Sequence, residues 1–258
     1  VSAERLLKTI TGGGPAFGIA LRSPDPAIVE ICAIAGYDWV SFTVEHSSLT
    51  TREVANLQRA ADVRGISTLV HIASADDPRI LPLLDEGVGG FVAAHVTKAQ
   101  QVEELVRASK FPPIGERGGA GVTRRSDYGA QDYAAYIKRS DELVAVGISI
   151  EDVAGVEDAD AILGVRGLNL VYVGLHDLTL SMGRPGEYAH PDIRDAIVHI
   201  AACAKKHDVA LALSEKGFTI RELRDFGAAM IVTNPAGEYI ALLDTLTARV
   251  TAARAEAA

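Results

Sequence analysis

The chain has 258 residues, 48% hydrophobic and 23% charged, which are the proportions of an ordinary globular protein. Its 25 Lys and Arg against 34 Asp and Glu give a formal net charge of −9, which excludes the basic footprint of a nucleic-acid binder. No apolar run approaches the ~18 residues of a membrane span, the first residues carry no apolar signal core, and two cysteines cannot build a disulfide framework, so a cytoplasmic protein with no membrane partner is expected.

In chain order, residues 16–21 read as a short, continuously apolar strand, followed by a helical pattern over 26–35. The next strand, 39–43, precedes a helix over 51–64 that opens on a Thr50/Glu53 capping box and closes at Gly65. Strands at 67–71 and 90–94 follow, with helices at 78–86 and 98–109. A Gly- and Arg-rich irregular stretch then runs from 111 to about 130, a length more often functional or disordered than inert. Strands at 144–150, 168–173, 209–213 and 229–232 alternate with helices at 153–163, 192–207 and 220–226, and a last helix covers 239 to about 253. Continuous apolar runs are how parallel strands buried on both faces read. Eight strands alternating with eight helices predict a TIM (β/α)8 barrel in one domain, 1–258, ahead of a doubly wound sheet.

In such a barrel the active site lies where the strands end, so the residues after each apolar run matter most. Four of the seven histidines, His46, His71, His95 and His176, fall there. Surface histidines have no reason to gather so, and imidazole is the side chain best suited to proton transfer near neutral pH. Glu151 and Asp177 follow neighbouring strands, where two carboxylates suit Mg²⁺, Mn²⁺ or Co²⁺ with room left for water and substrate. The same two acids would serve equally well as helix N-terminal acids. Asp85 sits near a helix C-terminus, where the dipole disfavours a carboxylate. No strand end carries a Lys, so no Schiff-base chemistry is expected.

Several segments form one ordered set. They are Ala35-Gly36-Tyr37-Asp38-Trp39 leading to Glu45-His46, then Leu83-Leu84-Asp85-Glu86-Gly87, then Phe111-Pro112-Pro113-Ile114-Gly115-Glu116-Arg117-Gly118. Ile150-Glu151, Val173-Gly174-Leu175-His176-Asp177-Leu178-Thr179 with Met182-Gly183, and His190-Pro191 complete the set. Together they resemble the HpcH/HpaI aldolase family of metal-dependent class II pyruvate aldolases. The resemblance implies metal ligands at Glu151 and Asp177, a catalytic histidine at His46 oriented by Asp85, and a substrate carboxylate held around Gly174, Leu175 and His176. Ser149 stands where the family has Gln, and Arg117 belongs to the matched loop and is a candidate substrate contact. His71 stands where the family has an arginine that contacts the keto oxygen, so His71 is a candidate catalytic residue with a changed role. Arg22 and Arg117 are the other candidates for that cation.

The expected activity is therefore cleavage or formation of a 4-hydroxy-2-oxo acid from pyruvate and an aldehyde, with a divalent metal cofactor. Decarboxylation of a β-keto acid, a histidine-rich zinc hydrolase, and an inactive barrel acting as a binding module are the alternatives. The resemblance also implies a homo-oligomer, a hexamer, with the last helix packed on or exchanged with a neighbour.

Overall fold

The structure, a computed structural model, describes residues 2–12, 14–233 and 237–256. Eight strands, β1 (Ala16–Leu21), β2 (Trp39–Thr43), β3 (Ser67–Ile72), β4 (Gly90–Ala93), β5 (Ala145–Ile150), β6 (Leu170–Val173), β7 (Ala210–Ser214) and β8 (Met230–Val232), pair in parallel in sequence order, and β8 closes on β1. The fold is a TIM barrel. Among the described residues twelve α-helices accompany it: α1 (Ser2–Thr11), α2 (Pro26–Ile34), α3 (Thr51–Arg64), α4 (Ile80–Asp85), α5 (Ala99–Ser109) and α6 (Tyr133–Leu143) in the first half. In the second half lie α7 (Val153–Glu157), α8 (Ala159–Leu163), α9 (Leu175–Ser181), α10 (Pro191–Lys206), α11 (Ile220–Asp225) and α12 (Glu238–Glu256).

The larger hydrophobic cluster lies between strands and helices, where Val40, Val70, Ile148 and Val171 meet Val54, Leu57, Leu105 and Ile197. A second cluster fills the barrel interior towards its amino end, with Trp39, Leu69, Val92 and Leu170 packed on Leu6 and Ile10 of α1. Helix α1 thus plugs the end of the barrel away from the strand carboxyl termini. Trp39 lies flat against β1, and a Cβ at Gly18 would come within 2.1 Å of its indole, so only glycine fits there. Its Nε1 donates to the Ala16 carbonyl at 3.2 Å, which satisfies the buried indole N–H.

Three helices lie outside the sequence reading: α1, α6 and α9. The expected single helix over 153–163 is broken at Asp158, whose φ of −97° and ψ of 11° leave the helical region. Both capping boxes form, at Thr50/Glu53 and Thr219/Glu222. The irregular stretch after Phe111 folds against the amino end of the barrel. Lys110 donates to the Val144 carbonyl just before β5, and Arg125 to the Val88 carbonyl just before β4.

Candidate active site

At the carboxyl ends of the strands a cavity of about 110 Å³ opens, lined by residues from all eight strands or the loops that follow them. Eight of the ten sequence-predicted positions line it together: His46, His71, Ser149, Glu151, Gly174, Leu175, His176 and Asp177. Asp85 and Arg117 lie elsewhere.

Glu151 is the best-held acid of the cavity. Its side chain is 8% exposed. Ser149 Oγ donates to Glu151 Oε2 at 2.8 Å, and the His95 amide donates to Oε1 at 2.7 Å. His95 can aim its amide there because its φ is 53°, in the left-handed region. Burial raises the Glu151 pKa, and those two hydrogen bonds and His95 only partly counter it. Gly174 leaves the space this carboxylate needs, since a Cβ there would fall 1.9 Å from Glu151 Oε2. Asp177 lies in the first turn of α9, directly after β6.

Glu45 stands beside this pair. Burial raises its pKa, His46 and His95 lower it, and Asp177 raises it again. His46 is mostly exposed at 61%, with Nε2 at 3.6 Å from Glu45 Oε1. His95 Nδ1 lies 3.1 Å from Asp152 Oδ2, and its Nε2 lies 3.7 Å from Glu45 Oε1. Burial opposes the charge on His95, but the hydrogen bond to Asp152 and the charges of Glu151, Asp152 and Glu45 prevail and raise its pKa.

His71 packs edge-on to Tyr172, with ring centroids 5.4 Å apart. Burial, then the positive charges of Arg22 and His46, push its pKa down to about 4, so His71 is neutral near pH 7. His176 Nδ1 meets the Tyr188 hydroxyl at 2.8 Å.

Glu45, Glu151 and Asp177 concentrate negative charge in a small volume, and burial pushes two of them up. Hard oxygen donors in that state fit a divalent cation, which would relieve their mutual repulsion. Among the described residues no three His, Cys, Asp or Glu side chains are arranged as a ready-made metal cage. Glu151 and Asp177 offer carboxylate oxygens at this cavity, the hard donors that suit such a cation.

Three expectations need correction. Asp85 is the last residue of α4, and α4 runs antiparallel to the strands, so Asp85 lies at the amino end of the barrel, away from His46. There its Oδ1 accepts from Arg117 Nη2 at 2.8 Å. Arg117 is not a cavity residue either. Its side chain is fully buried, donates to Ser140 Oγ at 3.0 Å, and stacks 4.5 Å above the Phe111 ring. A third correction concerns lysine. Strand β7 extends to Ser214, and Lys216, two residues on, lines the cavity. Arg22, directly after β1, lines it too, as do Tyr172 and Ser214, which the sequence reading missed. The sequence reading named Arg22 as a candidate cation; Lys216 follows an apolar run as the histidines do, so the same rule applied to lysine would have found it.

Comparisons with known proteins point to one family. The family model described as HpcH/HpaI aldolase/citrate lyase matches residues 17–228. The chain is 35% identical over 192 residues to a 4-hydroxy-2-oxovalerate aldolase of Rhodococcus jostii, covering 74% of this chain and 73% of that protein. It is 31% identical over 233 residues to a hydroxypyruvate/pyruvate aldolase of Pseudomonas aeruginosa, covering 88% and 85%. Among solved structures, an HpcH/HpaI aldolase from Desulfitobacterium hafniense superposes with a TM-score of 0.86 at 30% identity, covering 96% of this chain and 95% of that one.

Proposed function

The chain belongs to the HpcH/HpaI aldolase/citrate lyase family, and from that premise we propose that it is a divalent-metal-dependent carbon–carbon lyase acting on 4-hydroxy-2-oxo acids. In the forward direction it would join pyruvate, or a close 2-oxo acid, to an aldehyde. The observation that carries this reading is the carboxylate-rich mouth, with Glu151 and Asp177 after adjacent strands and histidines around them.

Glu151 and Asp177 would hold the cation, which supplies Lewis-acid polarisation of the 2-oxo group. The amides at the start of α9, around Leu175 and His176, would take the substrate carboxylate, since the first turn of a helix leaves its N–H groups free. His46 would move the proton. It is exposed enough to reach substrate, and Glu45 holds it from within the same chain. In the joining direction the C3 proton of the 2-oxo acid leaves, C3 bonds to the aldehyde carbon, and the aldehyde oxygen takes up a proton. The role of orienting His46 that the resemblance gives to Asp85 falls to Asp85 of a second copy of this chain, because within one chain the two lie at opposite ends of the barrel.

A second copy also suits α12. Tyr239, Leu242, Leu243, Leu246 and Val250 of this helix are each more than half exposed, and such an apolar surface needs cover. We read it as the contact of a homo-oligomer. The thiols of Cys32 and Cys203 are free and buried, which suits a reducing cytoplasm.

The test is exchange of the pyruvate methyl protons with solvent, followed by NMR. Exchange should require Mg²⁺, Mn²⁺ or Co²⁺ and stop with chelator. Full exchange in Asp177→Ala, or exchange indifferent to chelator, would overturn the reading. Mixing His46→Ala with Asp85→Ala chains should restore part of the activity that each lacks alone, because a mixed oligomer contains some intact sites.

A further inference from the structure

The cavity carries two kinds of charge on different strands. Its acids follow β2, β5 and β6, whereas Arg22 and Lys216 follow β1 and β7. Both cations are half-buried. The ion pairs of Glu45 and Glu151 run to His46 and His95, not to either cation. The hydrogen bonds between Arg22 and Glu238 use the backbone: the Arg22 and Ser23 amides donate to Glu238 Oε1 at 2.7 and 2.6 Å. That contact fixes the end of β1; the Arg22 side chain lines the cavity with its Nη1 beside Gly237. Lys216 Nζ lies 5.4 Å from the centroid of the Tyr188 ring. This is an attractive contact, but it does not neutralise the ammonium.

The two cations also feel each other. Burial lowers the Lys216 pKa, and the Arg22 charge lowers it further. Two like charges held in one small cavity repel, and an anion between them removes that cost.

We infer that Arg22 and Lys216 form an anion subsite on the β1/β7 side of the mouth, which binds a carboxylate or phosphate carried by the aldehyde partner. This rests on the aldolase reading above. The 2-oxo acid's own carboxylate is assigned to the start of α9, so the subsite serves a second anionic group. A neutral aldehyde would leave both cations facing each other, and would be the poorer substrate.

The experiment compares matched aldehydes that differ in charge: butanal against 4-oxobutanoate, and glyceraldehyde against glyceraldehyde 3-phosphate. The wild type should favour one or both anionic members in kcat/KM. A charge-assisted hydrogen bond lost in Arg22→Gln or Lys216→Gln should cut that preference roughly 10- to 100-fold. Arg22→Lys and Lys216→Arg, which keep the charge, should retain most of it. The pair that shows the preference tells carboxylate from phosphate. A wild type without charge preference, or Gln variants that keep it, would overturn the subsite even if pyruvate exchange proceeds.

Should exchange itself fail, binding decides separately. Titration of the whole protein with butyrate and with inorganic phosphate should show at least tenfold weaker binding in the Gln variants than in wild type. Equal binding in all of them, or none in wild type, would overturn the subsite.

Discussion

The two ends of the barrel treat the same chemical groups in opposite ways. At the amino end Asp85 and Arg117 pair at 2.8 Å, Ser140 accepts from Arg117 Nη1 and Phe111 lies under the guanidinium, and Lys110 donates to backbone carbonyls at 2.5 and 2.9 Å. At the carboxyl end Glu45 and Glu151 are raised by burial, His71 is forced neutral, and Arg22 and Lys216 press on one another. Charge that is matched inside the chain holds the fold together. Burial and neighbouring positive charges also push Lys110 down to about 8 and Arg125 to about 10 at the amino end, so what separates the two ends is the hydrogen-bond partners of their charged groups, not the pKa shifts.

The comparison breaks most clearly at Glu151. Glu151→Ala should cost about a thousandfold in aldol cleavage, ~4 kcal/mol of barrier, while the thermal midpoint stays close to wild type. Gly174→Ala should fall in the same direction, because its Cβ would displace Glu151 Oε2. Coupled-assay kinetics beside calorimetry would expose the opposite pattern, stability lost and rate kept.

Arg117→Met tests the other end. It removes a buried cation and strands Asp85, which is 21% exposed, so urea unfolding should show a loss of about 3 kcal/mol. A loss below about 1 kcal/mol would mean that the amino-end network is not a source of stability.

His46→Ala should slow pyruvate proton exchange by about a hundredfold, the lower range for loss of a general acid or base. An unchanged rate would move that role to His95, the other histidine near Glu45 and Glu151.

The smallest effect concerns pH. Folded His71 holds its proton only below about 4, whereas an unfolded imidazole binds it near ~6.5. The unfolded state therefore binds more protons between those values, and stability falls as pH drops from about 6.5 towards 4. After discounting for its partial exposure to the cavity, the loss should be about 2 kcal/mol. His71→Gln should flatten that part of the stability profile, and an unaltered slope would show that His71 does not set it.

The sequence alone determined the barrel and its strand order. Period and composition are local properties, and eight apolar runs separated by helical patterns close in only a few ways. Strands 16–21 and 39–43 were legible to the residue for that reason. The residues that follow each strand were legible with them, which brought His46, His71, Glu151 and Asp177 to one cavity on paper as in space. The helix C-terminal position of Asp85 was legible, but only the tertiary structure showed that Arg117, from a distant irregular stretch, pairs with it at the amino end. It alone decided that Lys216 reaches the mouth, because β7 runs one residue further than its apolar pattern. It alone made His71 neutral and raised Glu151, because desolvation depends on what the rest of the chain packs around a group, and that is a long-range property no local pattern encodes.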